Sequence, residues 1–142
     1  IIKLLNYMLK NSKLIKTVDI PKINNTKGNI GIIENDTVPF DIKRVFYLYD
    51  VPSGAKRGGH ANKKSSQVLI AISGSFDVVL KDGKSKEIVT LNRPDKGLLI
   101  KNNIWRELEN FSSGSVCLVL ASEEFSEDDY IRNYKEYLSF VK

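Results

Sequence analysis

The chain reads as an all-β protein, a jelly-roll barrel followed by one C-terminal helix, and three observations carry that expectation. Short apolar or alternating runs rich in Val, Ile, Leu, Phe and Tyr recur from residue 16 to 122, separated by turn signals every eight to twelve residues or so. Lys81-Asp82-Gly83-Lys84 holds the Asp-Gly pair that supplies positive φ in a tight type I′ hairpin. After residue 124 the period changes: Phe125, Tyr130, Ile131, Tyr134, Tyr137, Leu138 and Val141 fall at helical spacings.

Taken in order, strands are expected near Ile15 to Ile20, Asn29 to Glu34, Ile42 to Tyr49, Gln67 to Ser73, Ser75 to Leu80, Lys86 to Leu91, Gly97 to Ile100, Trp105 to Asn110 and Val116 to Ala121. Hairpin spacing throughout favours a closed or jelly-roll barrel. Gly74 interrupts one apolar run where a barrel strand bends or bulges. Ser126 is the expected N-cap of the helix over 124–141, with Glu127, Asp128 and Asp129 in its first turn. Barrel (about 15–122) and helix are expected to form a single domain over 1–142, with no repeat, linker or low-complexity segment.

Composition narrows the class. The apolar content of 42% and charged content of 27% are those of a soluble globular chain. The one cysteine, Cys117, lies inside an apolar run, so it makes no disulfide or thiolate cluster within the chain; it is read as an inert core residue. A reducing, cytoplasmic compartment fits that usage. The opening stretch, Ile1 to Ile15, is broken by Lys3, Lys10 and Lys13 and is not followed by a small-residue cleavage site, so it is not read as a signal peptide. No window approaches the roughly 20 apolar residues that cross a bilayer, and no membrane partner is expected. The net charge is +5. The lysines are scattered, Lys63-Lys64 being the only adjacent pair, and a basic stripe interleaved with aromatics is lacking. Nucleic acid is therefore not the expected partner; an anionic small ligand such as a nucleoside diphosphate suits the charge.

The informative stretch is Arg57-Gly58-Gly59-His60-Ala61-Asn62-Lys63-Lys64-Ser65-Ser66-Gln67, followed by six residues and Gly74. Its spacing resembles the first motif of the cupins, in which two histidines and a carboxylate supply ligands inside a barrel. Here those places hold His60, Asn62 and Gln67, and Arg106 stands where the second motif would supply a further histidine. Neutral amides and a cation leave one strong ligand of four, so no metal is expected. On an extended segment His60 and Asn62 point to one face. His60 is a candidate proton carrier, the alternative being a satisfied core or surface histidine. Arg44 and Arg57 offer bidentate phosphate contacts and Lys43 a point charge, or else they line a solvated strand edge. Trp105 is a candidate to stack on a base or sugar, with a place in the core as the alternative. Asn62 can orient a hydroxyl or carbonyl but carries no useful proton.

Together, Ile42-Lys43-Arg44-Val45-Phe46-Tyr47, Arg57 to Ala61, Gln67 to Gly74, Trp105, and the stretch from Val119-Leu120-Ala121-Ser122 through Asp129-Tyr130-Ile131-Arg132 resemble the dTDP-4-keto-6-deoxyglucose 3,4-ketoisomerases. The resemblance implies a metal-free cupin (double-stranded β-helix), usually a homodimer. Such an enzyme moves the keto group of a dTDP-linked keto-deoxysugar from C4 to C3, without a cofactor, on the way to 3-amino sugars of lipopolysaccharide O-antigen and other surface polysaccharides. It also implies that His60 matches the family's first active-site histidine, and that Arg44 and Arg57 match its two arginines. Two departures stand out: the second histidine is Asn62 here, and a tyrosine of the early strand is Phe46. Lys27 and Arg106 fall where the family's choice of C4 epimer is set. The expected site has Arg44, Arg57 and Lys43 on the diphosphate, His60 moving the proton, and Asn62, Gln67 and Arg106 on the sugar oxygens. Three other readings compete: a non-catalytic nucleotide-sugar-binding cupin, a 3- or 5-epimerase on the same substrate class, and a ligand-free structural cupin.

Overall fold

The computed structural model describes residues 1–4 and 13–142; most of the opening stretch read for a leader, residues 5–12, lies outside the described residues. Two five-stranded antiparallel sheets face each other as a jelly roll. The first takes the order β1 (Lys16–Asp19), β9 (Lys96–Ile100), β6 (Gln67–Ser73), β11 (Val116–Ala121) and β4 (Arg44–Leu48). The second runs β12 (Tyr130–Ile131), β5 (Arg57–Asn62), β10 (Trp105–Glu109), β7 (Phe76–Lys81) and β8 (Lys86–Leu91). A short ribbon of β2 (Lys22–Ile23) and β3 (Ile30–Gly31) stands apart from both.

Alternation sorts each strand's side chains between two environments. Leu69 and Ala71 of β6, Leu98 and Ile100 of β9, and Cys117 and Val119 of β11 meet Phe76, Val78 and Leu80 of β7 and Leu108 of β10 between the sheets. Each buried Val, Leu, Ile or Phe among these contributes roughly 1.5–3 kcal/mol. The opposite face of β6 is also covered: Val68 and Ile70 pack with Leu120, Ile20 and Val38, and that double burial is why β6 reads as an unbroken apolar run. A third cluster, Ala61, Trp105, Ile131 and Tyr137, seats the C-terminal helix Tyr134–Phe140 on the outer side of the second sheet. Tyr137 is fully buried there, and its hydroxyl donates to the carbonyls of Asn103 (2.8 Å) and Lys81 (3.1 Å). Among the described residues no helix is long and apolar enough to cross a membrane.

Three expectations are corrected. The helix does not begin near residue 124 with Ser126 as its cap. Residues 127–129 form a single 3-10 turn in which Ser126 makes no side-chain cap, Tyr130 and Ile131 then pair with Asn62 and Ala61 as β12, and the helix starts only after Asn133, whose side chain accepts from the Glu136 N–H. Phe125, Tyr130 and Ile131 mimic a helical spacing because aromatic and apolar residues at 125, 130 and 131 serve a loop and a strand instead. The hairpin at Asp82-Gly83 is not type I′: Gly83 alone takes positive φ (+94°), Lys84 avoids the left-handed region, and the Asp82 carboxylate closes the loop by accepting from the N–H groups of Lys84 and Ser85. The stretch expected as a strand over Asn29 to Glu34 pairs only at Ile30–Gly31, and the strand β5, whose Gly pair lowers its propensity, was not anticipated as one.

Gly74 does mark a bend. It has φ +69°, and a Cβ there would lie 2.5 Å from Ser112 Oγ and 2.8 Å from the Ser115 backbone. Gly74→Ala combines a left-handed residue with overpacking, so it should cost about 2–4 kcal/mol, read as a lowered midpoint in urea denaturation.

Candidate active site

A pocket of about 310 Å³ opens between the two sheets at the end where β4, β5 and β12 come together. Its position depends on a kink in β5. Arg106 of β10 pairs with His60, Glu107 with Gly58 and Leu108 with Arg57, so Gly59 is the extra residue of a bulge. Gly58 and Gly59 have φ +79° and +68°, and a Cβ on Gly58 would lie 3.1 Å from the Arg106 carbonyl. The bulge shifts the alternation by one, so Arg57 and His60, three residues apart, both line the pocket.

Floor and walls differ in polarity. Leu48, Leu69, Leu108 and Val119 continue the core into the floor. Above them stand Arg44, Lys56, Arg57, Arg106 and Arg132, with no carboxylate among the lining residues. Arg132 is held by Glu127 through two bonds of 2.6 and 2.9 Å, and Lys56 lies 3.6 Å from Glu109. Arg44, Arg57 and Arg106 form no ion pair among the described residues.

Arg106 is 1% exposed. Its Nη1 donates to Gln67 Oε1 at 2.8 Å and its Nη2 to the Ile104 carbonyl at 3.2 Å, while its Nε is buried without a partner. Burial holds its pKa down at about 10, still well above neutrality, so it stays a cation. His60 is opposite it. Desolvation first, and the Arg106 charge second, press its pKa down to about 3, and Nε2 is buried without a hydrogen bond. His60 is therefore neutral at pH 7. Its ring centroid is 4.8 Å from that of Tyr130, whose hydroxyl accepts from Arg44 Nη1 at 3.1 Å. Arg44 also lies 4.2 Å over Phe46 and 5.1 Å over Phe125.

Of the residues expected at the site, Arg44, Phe46, Arg57, His60, Gln67 and Arg106 line this pocket. Four do not. Asn62 is on the His60 face but buried, its Nδ2 donating to Asp129 Oδ2 at 3.1 Å. Trp105 points away from Arg106, as strand alternation requires; its indole donates to Glu107 at 2.7 Å and its ring meets Tyr134 edge-on at 5.0 Å beneath the helix. Trp105 is thus a core residue. Lys43 lies on the surface near Glu123, and Lys27 lies in an exposed turn in which its N–H donates to Asn25. Tyr130, Arg132 and Phe125 also line the pocket, with no site role expected for them from the sequence. A signal existed in Tyr130-Ile131-Arg132, where polar, apolar and polar alternate with period 2. Cys117 is fully buried, and burial pushes its thiol up to about 12. Among the described residues no three His, Cys, Asp or Glu side chains are placed to hold a metal ion.

A family model described as FdtA, WxcM-like, C-terminal, matches residues 12–142. The chain belongs to this WxcM-like family. It is 40% identical over 127 residues to the TDP-4-oxo-6-deoxy-α-D-glucose-3,4-oxoisomerase of Aneurinibacillus thermoaerophilus, covering 89% of this chain and 91% of that one. Its fold matches the WlaRB TDP-quinovose 3,4-ketoisomerase of Campylobacter jejuni with a TM-score of 0.84 and 47% identity, over 90% and 99% of the two chains. It also matches a His-to-Asn variant of the 3,4-ketoisomerase QdtA from Thermoanaerobacterium thermosaccharolyticum in complex with TDP-4-keto-6-deoxyglucose, with a TM-score of 0.88 and 40% identity over 92% and 95%. Membership of the WxcM-like family accounts for the cupin spacing seen in the sequence.

The depressed pKa of His60 has a signed consequence. An unfolded histidine takes a proton near pH 6.5 and folded His60 only near pH 3, so stability present above pH 6.5 is lost as pH falls between those values. His60→Gln should flatten that limb by about one proton in a series of urea titrations against pH.

Proposed function

We propose that the protein is a dTDP-sugar 3,4-ketoisomerase, moving the keto group of a dTDP-4-keto-6-deoxyhexose from C4 to C3. The observation that carries this reading is a neutral histidine with a free buried nitrogen, facing an unpaired buried guanidinium in a cationic pocket of a WxcM-like chain.

The C4 ketone acidifies the neighbouring C3–H, so the reaction needs a base, a site for charge on O4, and a way to return the proton. His60 Nε2 takes the C3 proton. Negative charge developing on O4 as that proton leaves is met by Arg106, which Gln67 and the Ile104 carbonyl hold in place. Burial first, and the Arg106 charge second, make His60 a weak base at rest. As negative charge grows on O4 it offsets that guanidinium, and His60 gains proton affinity while the transition state forms. The same imidazolium then returns the proton at C4, while the O3 hydroxyl gives up its proton to become the ketone and O4 gains one to become the hydroxyl. No cofactor is required by these steps. Arg44 and Arg57 suit the diphosphate, and Phe46 gives the nucleotide-sugar an apolar wall. Asn62, tied to Asp129, acts by holding β5 against the turn at 127–129 rather than by touching the sugar.

The chain is read as one cupin unit acting in the cytoplasm, in the synthesis of 3-amino sugars of surface polysaccharides, without a membrane or nucleic-acid partner. A homodimer is supported by the edge strand β4, whose outward Val45 and Tyr47, continued by Tyr49, leave an apolar row more than half exposed.

The test is to incubate the protein with dTDP-4-keto-6-deoxyglucose in deuterated water and follow the ring protons by NMR. The expected result is loss of the C3 signal with a 3-keto product, reduced about 10²–10⁴-fold in His60→Asn. Binding of dTDP without exchange would leave a nucleotide-sugar-binding protein, and label entering at C5 would indicate an epimerase. Since folded His60 is protonated only near pH 3, kcat/KM should stay flat down to about pH 5; an acid limb near 6.5 would contradict the site described.

A further inference from the structure

Isomerisation moves two protons, one between carbons and one between oxygens, and His60 accounts for the first. The second requires a group that gives a proton to O4 and takes one from O3. The pocket offers few. A guanidinium is no proton donor for such a step, the Gln67 and Asn62 amides exchange no proton usefully, and Phe46 carries none. Lys56 lies out beside Glu109. Tyr130 is the remaining hydroxyl among the lining residues.

Its placement is specific. The ring sits 4.8 Å from His60 and 5.6 Å from Phe125, with the Arg132 guanidinium 4.4 Å over it. Because Arg44 donates to the phenol oxygen at 3.1 Å, the phenol's own proton is left to point elsewhere. Charge that develops on the oxygen as this proton leaves is met by Arg44.

Resting on the ketoisomerase reading, we propose that Tyr130 is a second catalytic residue, its phenol passing a proton between O3 and O4 while His60 moves the proton between C3 and C4. In the first half, His60 Nε2 takes the C3 proton, the C3–H pair becomes the C3=C4 double bond, and the C4=O4 π pair takes the phenol's proton. This leaves an enediol, an imidazolium and a phenolate. In the second half, the phenolate takes the O3 proton, the O3–H pair forms the C3=O3 bond, and the C3=C4 pair takes the imidazolium's proton at C4. Both residues end as they began, and no oxidant or reductant is involved.

Tyr130→Phe tests this, because it keeps the ring against His60 and Phe125 and removes the hydroxyl alone. Turnover of dTDP-4-keto-6-deoxyglucose should fall by about 10²-fold or more, with dTDP affinity within about twofold of wild type. In deuterated water, C3 exchange in the recovered substrate should rise relative to 3-keto product, since carbon deprotonation continues while the oxygen-to-oxygen transfer lags. Turnover within about threefold of wild type would overturn the role, as would equal loss of exchange and product. A wild-type protein that makes no 3-keto product would instead remove the ketoisomerase reading, and this role with it.

Discussion

The Arg106–Gln67 hydrogen bond is the contact around which the pocket is organised. A guanidinium withdrawn from water costs several kcal/mol unless its donors are met, and among the described residues no carboxylate forms an ion pair with Arg106. Gln67 and the Ile104 carbonyl satisfy two positions and leave a third, so the barrel holds a fixed positive charge with spare donor capacity. His60, one strand away, is held neutral chiefly by burial and secondarily by that charge. A carboxylate in place of Gln67 would neutralise the arginine and relieve the histidine. The neutral amide preserves the tension between them.

Geometry follows from β5. A regular strand would send Arg57 and His60 to opposite faces; the bulge at Gly58-Gly59 brings both inward. Two positive-φ glycines in succession accommodate this at little steric cost, and the close approach of Gly58 to the Arg106 carbonyl leaves scant room for a side chain. The strand that presents His60 is thus locked to the strand that presents Arg106.

Much of this was legible from residue order. The alternating runs located eight of the barrel strands near their observed places, because alternation records burial directly. The Gly-Gly-His spacing marks the segment that lines the pocket, but not its pairing as β5. What escaped were features set by tertiary contacts. Trp105 is as suitable for stacking on a sugar as for a core, and only the helix packed over it decides. Tyr130 and Arg132 fall in a segment whose spacing also fits a helix, and pairing with Asn62 and Ala61 makes it a strand. The role of Asn62 depends on Asp129, 67 residues away. Lys43 has a charge suited to a diphosphate and Lys27 enters only through the family resemblance, but neither says anything of distance from a pocket.

The pocket's walls come from residues as far apart as Arg44 and Arg132. Nine of the ten strands of the two sheets precede residue 122, whereas the tenth, β12, lies in the later segment that carries Phe125, Tyr130 and Arg132. A nascent chain can therefore collapse around its core and bring His60 beside Arg106 before one side of the cleft exists. The cleft is complete only once β12 has paired with β5, so a folding intermediate without that pairing has the core but only part of the pocket.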